Sequence, residues 1–339
     1  MYRECLALGT AALVLGSVLP AAAQGRPPTL DVHLHALAAD AQGPPPLGLC
    51  APIQQFPTAN PPKPYGATFL EFLKDPSCPD PIWSPETDDA LMLETIRVME
   101  ESNVFGVLSG TVSRVSAWSD AAPDRFVRGL GFTTRSGITP DSLRALHGSG
   151  LVEVLAEVTN QYLGLAPDDP TMEPYWALAE ELNLPVGIHI GPGPPGAVYL
   201  GFGGYRARLH SPLALEEVLV RHPNLRVYVM HAGYPMLDEM LALLYAHPQV
   251  HVGIGVIVYT QPRAAFYRFL RTIVEAGFEG RVMFGSDHMV WPEAIARSIQ
   301  VIEEAPFLSS SQKRKILYDN AARFLNLTPE QIAEHQGHE

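Results

Sequence analysis

The 339-residue sequence predicts one closed (β/α)8 barrel, and three observations predict it. From Ser84 onwards, helical and strand patterns alternate with short connections, as a parallel sheet with crossover helices requires. The strands are apolar runs without polar alternation, the signature of strands buried on both faces. Acidic and imidazole side chains fall at the C-terminal ends of several of these strands, where barrels carry their sites. An open, doubly wound sheet is the alternative assembly of the same elements.

Taken in order, the chain starts with a segment that does not belong to the barrel. Met1 to Ala23 combine Arg3, an apolar run from Cys5 to Leu19 and the small residues Ala21-Ala22-Ala23, which read as a secretory signal peptide cleaved near Ala23. The apolar run is short for a bilayer span, and an uncleaved amphipathic anchor is the alternative. Residues 24–339 are then a single secreted or periplasmic domain with no membrane segment in its mature form.

Leu30 to His35 form the first strand. Alternate side chains on a strand share a face, so His33 and His35 are expected to project together, with Val32 and Leu34 on the other side. Residues 36–85 follow, with Pro44-Pro45-Pro46, Pro61-Pro62 and little periodicity. That is too long for a simple connection, and its place directly after the His pair predicts a lid or wall over the site, with a short helix from Thr68 to Lys74.

Next come an amphipathic helix at Asp88–Ser102 and strands at Val104–Leu108 and Phe126–Phe132. A helix at Pro140–His147 is capped by Thr139. Strands at Leu151–Val158, Pro185–Ile190, Leu225–Met230, Val250–Ile254 and Arg281–Gly285 complete a set of eight. Between them lie helices at Met172–Asn183, Leu213–Arg221, Met236–Ala246 and Ala264–Ala276, with further helices from Pro292 and Ser311.

Composition narrows the function classes. A chain that is 47% hydrophobic and 17% charged suits a large core, and a net charge of −13 argues against a nucleic-acid groove. Cys5 lies in the leader, which leaves Cys50 and Cys78 in the Pro-rich segment, either as a disulfide or as two separate thiols. Neither reading offers a thiol nucleophile. The chain contains no Gly-x-Ser-x-Gly elbow, no phosphate loop and no dinucleotide fingerprint after a strand.

What remains is the set at the strand ends: His33 and His35 on the first strand, Glu157 on the fourth, His189 on the fifth, His231 after the sixth and Asp287 after the eighth. All are metal-ligand types, and a barrel gathers them around one mouth. Singly, each histidine reads as a satisfied core residue, Asp287 as a helix cap and Glu157 as a strand-end acid bound to arginine or solvent. His147, His222 and His247 lie at helix ends and His251 at the far end of a strand, so these are read as structural.

The ordered set Asp31-Val32-His33-Leu34-His35, Pro185-Val186-Gly187-Ile188-His189, Val229-Met230-His231-Ala232-Gly233, Phe284-Gly285-Ser286-Asp287 and the tail Ile316 to Leu325 resembles the amidohydrolase superfamily, in its amidohydrolase-related branch. The resemblance implies a barrel hydrolase whose divalent metal is held by His33, His35, His189 and Asp287, with His231 as ligand or acid/base. Donors of this kind suit zinc first, and also manganese or iron. The ion supplies a water nucleophile near neutral pH, and Asp287 takes its proton.

Some members of that superfamily bridge two ions with a modified lysine, but Lys63, Lys74, Lys313 and Lys315 all lie off the barrel strands. Any bridge between two ions therefore falls to Glu157, whose setting Ala156-Glu157-Val158 resembles the carboxylate of other binuclear members.

Further candidates come from the loops. Gly191-Pro192-Gly193-Pro194-Pro195-Gly196 should form a stiff wall after His189. Arg206 and Arg208 are candidates for a substrate carboxylate, with solvated surface arginines as the alternative. Gln161, Tyr162, Tyr259, His288 and Trp291 lie just beyond strand ends and are expected to line the pocket.

The resulting expectation is a secreted hydrolase acting on a small-molecule amide, lactone or ester with one or two ions. A metal-dependent non-oxidative decarboxylase of an unsaturated or aromatic carboxylic acid is the alternative, and a metal-binding protein without turnover is the third. A small molecule is the expected partner, and a homo-oligomer is compatible with the sequence.

Overall fold

The computed structural model describes residues 26–337, so the leader segment expected over Met1 to Ala23 lies outside the described residues. The strands are β1 (Thr29–Ala36), β2 (Gly48–Leu49), β3 (Ile82–Trp83), β4 (Val104–Gly110), β5 (Phe126–Arg128), β6 (Leu155–Val158), β7 (Val186–His189), β8 (Val227–Met230), β9 (Val250–Gly253) and β10 (Val282–Met283). Leaving aside the small antiparallel β2–β3 pair, these are the eight expected barrel strands, and every pairing among them is parallel.

Ladders run β1-β4-β5 and β6-β7-β8-β9-β10. Two seams join them. Between β5 and β6, Leu130 donates to Val154 O at 2.9 Å and Phe132 to Glu157 O at 2.8 Å. Between the end of β10 and β1, Val32 donates to Phe284 O at 3.0 Å and Asp287 to His33 O at 2.7 Å. The architecture is that of a TIM barrel, and the second seam brings the first and last strand ends together.

Helices cover the outside: α1 (Tyr65–Lys74), α2 (Asp88–Glu101), α3 (Val112–Ala121), α4 (Pro140–Gly148), α5 (Glu173–Glu181), α6 (Glu216–Arg221), α7 (Leu237–Ala246), α8 (Ile257–Thr260), α9 (Arg263–Ile273), α10 (Glu293–Glu303), α11 (Ser310–Arg314), α12 (Asn320–Phe324) and α13 (Pro329–His335). Thr87, Thr111 and Thr139 each accept a backbone N–H at a helix start, a contribution of about 1 kcal/mol apiece. No helix among the described residues is long and apolar enough to cross a membrane.

Two expectations change. Helix α3 is absent from the sequence reading because its run Val112–Ala121 is rich in serine and only weakly amphipathic; Thr111 supplies its start. Val32 and Leu34 were expected to share a face, but Val32 packs with Leu30, Tyr228 and Met230 in an inner cluster whereas Leu34 joins the main core. A register irregularity between Asp31 and Leu34 on β1 breaks the simple alternation. The inner cluster also takes in Tyr318, Ala321, Ala322 and Phe324 from the C-terminal tail.

Residues 37–81 carry β2, α1 and a disulfide between Cys50 and Cys78. The segment is tied to the barrel rim at separate points: Ile53 donates to Thr260 O at 2.9 Å, the Trp291 indole donates to Leu47 O at 2.9 Å, and the Tyr65 hydroxyl donates to Pro195 O at 2.9 Å.

Candidate metal centre

The barrel brings six predicted side chains into one buried cluster. His33 and His35 stand with ring centroids 4.8 Å apart on β1. Glu157 lies on β6 and donates its backbone N–H to Ser109 Oγ at 2.8 Å. His189 ends β7, His231 follows β8, and Asp287 follows β10. His231 and Asp287 adopt φ of +62° and +53°, in the left-handed region that disfavours side chains bearing a Cβ, so surrounding structure must hold them there. For Asp287 that structure is visible: its N–H donates to His33 O at 2.7 Å and its carbonyl accepts the Tyr259 hydroxyl at 2.9 Å.

Two glycines make the close packing feasible. A Cβ on Gly191 would lie 2.4 Å from His231 Cβ, and one on Gly255 would lie 2.7 Å from His33 Nδ1. No other residue fits either place without moving a cluster histidine.

Glu157 is central. Its Oε1 lies 2.7 Å from His189 Nδ1, 3.4 Å from His231 Nε2 and 3.6 Å from His33 Nε2, and its Oε2 lies 3.9 Å from His35 Nε2. Asp287 Oδ1 lies 2.9 Å from His35 Nε2 and 3.6 Å from His33 Nε2. His231 Nδ1 is 2.9 Å from Gly255 O. A carbonyl only accepts, so Nδ1 carries the proton and Nε2 turns a lone pair into the cluster.

The charges are strongly coupled. Burial alone would raise the carboxyl groups, but His189 and His33 hold Glu157 well below the usual carboxylate range, and His33 and His35 hold Asp287 at about 2. Burial lowers His33 and His189, whereas the carboxylates outweigh burial for His35 and His231 and raise both. Two carboxylates that stay ionised amid four imidazoles form a donor set for a cation.

The geometry fits a cation as well. Most acid–imidazole separations are 3.4 to 3.9 Å, too long for hydrogen bonds, yet the donor atoms face one another. His33 Nε2 is buried without a hydrogen-bond partner. Three overlapping triads, His33–His231–Asp287, His33–His35–Glu157 and Glu157–His189–His231, each place one donor atom per residue within 4.8 Å of the others.

Asp31, quoted in the sequence motif but given no role there, braces the site. Its buried carboxylate accepts the N–H of His33 at 2.9 Å and that of Ser286 at 3.0 Å, and burial pushes it up to about 7. His210 was also overlooked. It is buried, neither ring nitrogen has a partner, and its ring stands edge-on to His189 with centroids 5.3 Å apart; burial and then His189 lower it to about 3. Its position deep in the loop after β7, without a patterned neighbour, gave no sequence signal.

The loop candidates divide. Tyr162 lies beside the cluster, 4.9 Å from His189 between ring centroids, and lines a cavity of about 510 Å³ with Thr133, Arg135, Thr159, Leu163 and residues 201–204. Gln161 is buried next to it with both amide atoms unpaired.

Arg206 and Arg208, expected at a substrate carboxylate, are exposed and outside that cavity; the Arg206 guanidinium donates to Gly203 O and Tyr205 O of its own loop. Trp291 and His288, expected to line the pocket, are buried: the first anchors Leu47, and His288 Nε2 lies 3.5 Å from Thr95 Oγ1 on α2. Neither is among the residues lining the cavity of about 510 Å³, and His288 lies next to Asp287 in the chain, within the electrostatic reach of His33 and His35. Tyr259 is likewise buried beneath Asp287.

A family model described as Amidohydrolase matches residues 30–327. No curated protein matches the chain. Solved structures share its fold at low identity. A probable 2-pyrone-4,6-dicarboxylic acid hydrolase from Acinetobacter baumannii is 17% identical with a TM-score of 0.55, covering 88% of this chain and 99% of its own. The 5-carboxyvanillate decarboxylase of Sphingomonas paucimobilis is 15% identical with a TM-score of 0.57, covering 89% and 100%. The same enzyme from Novosphingobium aromaticivorans, complexed with manganese, is 13% identical with a TM-score of 0.56, covering 90% and 97%. With the match spanning almost every described residue and the cluster in place at the strand ends, the chain belongs to the amidohydrolase family of metal-dependent enzymes.

Proposed function

We propose that this protein is a secreted hydrolase that holds two divalent ions, zinc first, bridged by Glu157, and that it cleaves a small-molecule amide, lactone or ester. The observation that carries the reading is the reach of one carboxylate across both halves of the cluster: Glu157 Oε1 meets His189 Nδ1 and His231 Nε2 on one side and His33 Nε2 on the other. One half-site would be His33, His35 and Asp287, and the other His189 and His231, with Glu157 common to both. His189 supports this by turning Nδ1 inward, 3.0 Å from His231 Nε2, which pairs it with His231. The imidazole-rich donor set favours zinc.

When bound, the ions supply Lewis acidity and a water nucleophile at neutral pH. The chain's own groups do the rest. Asp287, ionised beside His33 and His35, accepts a proton and returns it to the leaving group. His231, its tautomer fixed by Gly255 O, stays oriented throughout. The disulfide and the reading of Met1–Ala23 as a leader agree with an oxidising compartment, and residues 36–85 would cover the mouth as a lid.

A decarboxylase is the second reading, supported by a fold shared with structures named for that activity. Metal content per chain separates the two. About two ions in the wild type, falling in Glu157→Gln together with hydrolysis of an ester and lactone panel, is the expected result. About one ion in both proteins removes the bridge and turns the search to carbon dioxide release from aromatic acids.

A further inference from the structure

We infer that Tyr162 is a gate between the outer cavity and the metal cluster, and that Tyr65 of the lid segment latches this gate through residues 193–196. The inference rests on the reading of the His–Glu–Asp cluster as the reacting centre and of residues 36–85 as its lid, and it adds how a molecule is let in.

The cavity and the cluster adjoin without communicating. Gly201, Phe202 and Gly203 form an exposed outer rim on the cavity, whereas none of the cluster residues lines it. Tyr162 stands between the two: it lines the cavity, and its ring centroid lies 4.9 Å from that of His189. Behind it the cluster is closed off, with His189 buried and His231 more deeply so. A molecule that enters the cavity therefore meets Tyr162 before it meets His189.

Tyr162 is held by packing alone. Among the described residues its hydroxyl makes no hydrogen bond, while the neighbouring Tyr205 hydroxyl accepts the N–H of Gly193 at 3.1 Å. Its ring leans on Phe202, with centroids 4.8 Å apart, and on His189. In a close-packed interior a ring turns only where free volume lies beside it, and the cavity of about 510 Å³ supplies that volume.

The segment after β7 keeps the gate shut. A Cβ on Gly193 would lie 2.6 Å from Tyr162 Oη and 3.0 Å from Tyr205 Cε2, so the backbone there is pressed onto both rings. Pro194 and Pro195 follow with φ locked by their own rings, and Ala197 donates to Pro194 O at 2.9 Å, which makes the run from Gly193 to Gly196 a stiff strap. The inner end is anchored, since Gly191 packs on His231 and Gly233 donates to Ile190 O at 2.9 Å.

The lid pins the outer end. Gly196 has φ of +75°, and a Cβ there would lie 2.2 Å from Tyr65 Cε1. The Tyr65 hydroxyl donates to Pro195 O at 2.9 Å, and its ring stands edge-on to Tyr199 with centroids 6.2 Å apart. Tyr65 opens α1, inside the segment spanned by the Cys50–Cys78 bridge. Withdrawal of Tyr65 with the lid frees the strap, and with it Tyr162, so lid and gate open together while the cluster keeps its donors.

The test reads access to His210, a buried ring that is not a cluster donor and lies behind Tyr162 and Tyr205, at centroid separations of 6.3 and 4.5 Å. Full-length mature protein as purified is treated with diethyl pyrocarbonate at neutral pH, carbethoxylation of each histidine is followed by peptide mass spectrometry, and ion content is measured on the same samples. His222, buried between Glu173 and Glu180, reports on general unfolding. In Tyr65→Ala the His210 rate is expected to rise about tenfold or more over wild type, towards that of Tyr162→Ala, with the His222 rate within about twofold. Tyr65→Phe keeps the packing on Gly196, loses only the hydrogen bond to Pro195 O, and gives a smaller rise in the same direction. A His210 rate that rises in Tyr162→Ala but not in Tyr65→Ala overturns the latch, and no rise in either overturns the gate. An equal rise at His222 overturns both, because general unfolding then explains the access. Ion content reports separately on the cluster: protein without ions whose His210 is still protected by Tyr65 keeps the gate and removes the hydrolase reading.

Discussion

The carboxylate of Asp31 on the first barrel strand accepts the backbone N–H of Ser286, next to Asp287 on the last, at 3.0 Å through Oδ1 and 3.1 Å through Oδ2. The same Oδ1 accepts the N–H of His33 at 2.9 Å. One buried acid thus fixes the backbone that carries two of the cluster's donors. Asp31→Asn keeps the shape but replaces one acceptor with an N–H₂ group facing these donors. The expected cost is about 1–3 kcal/mol of stability, with metal affinity falling roughly 10- to 100-fold. Thermal unfolding and competition with a chelator measure the two effects. Wild-type metal affinity in the variant would reduce Asp31 to a tie between strands.

His210 should act on substrate and not on metal retention. Its ring packs on Tyr205, with centroids 4.5 Å apart, and stands edge-on to His189, while both nitrogens lack partners. His210→Phe preserves that packing and removes the nitrogens. The expected outcome is unchanged metal content and a fall of about tenfold or more in kcat/KM on whichever ester or lactone the wild type hydrolyses, the cost of one lost charge-free or charge-assisted hydrogen bond. Loss of metal in this variant would show instead that His210 holds His189 in place.

The donor cluster was readable because each member sits at a strand end, and strand ends follow from local apolar pattern; the barrel then supplies the convergence. His210 was not readable because it stands on an irregular loop, where the path of the backbone depends on tertiary contacts such as Gly204 against Leu163. Arg206 and Arg208 carry the charge a carboxylate needs and follow His189 in the chain, but charge and sequence distance do not give the path of the loop, which turns the Arg206 guanidinium onto Gly203 O and Tyr205 O. The irregularity in β1 shows a similar limit: the alternation rule placed His33 and His35 together, but it misassigned Val32 and Leu34 across the irregularity.

The Cys50–Cys78 bridge closes a loop with a sequence separation of 28, which corresponds to about 3.6 kcal/mol on the chain-entropy account. Every donor of the cluster lies on or next to a barrel strand, outside residues 37–81. Cys50→Ser with Cys78→Ser is therefore expected to lower stability by about that amount and to expose residues 37–81 to protease, with metal content unchanged. Denaturant unfolding and mapping of the first cleavage sites check this. A variant that loses its metal would mean that the segment holds the mouth of the site in shape.

His251 supplies a pH dependence that is separate from the cluster. It lies on β9, packs on Phe324 with ring centroids 4.8 Å apart, and has Nδ1 3.2 Å from Gln249 O. Burial, reinforced by the nearby Arg281, Arg323 and Arg226, lowers it from 6.5 to about 4. Above pH 6.5 the ring is neutral in both folded and unfolded chains and is without effect. As the pH falls from 6.5 towards 4 the unfolded chain takes up the proton first, so the folded state loses stability by at most about 1.4 kcal/mol per pH unit. Carboxylates held low elsewhere act in the same direction, so the useful quantity is the difference between wild type and His251→Gln, in which their contributions cancel. That difference should shrink or change sign as urea unfolding is moved from pH 7.5 to pH 5. If it stays constant across this window, His251 accepts its proton in the folded protein as readily as in the unfolded chain, and the packing of Phe324 and the three arginines does not exclude the charge.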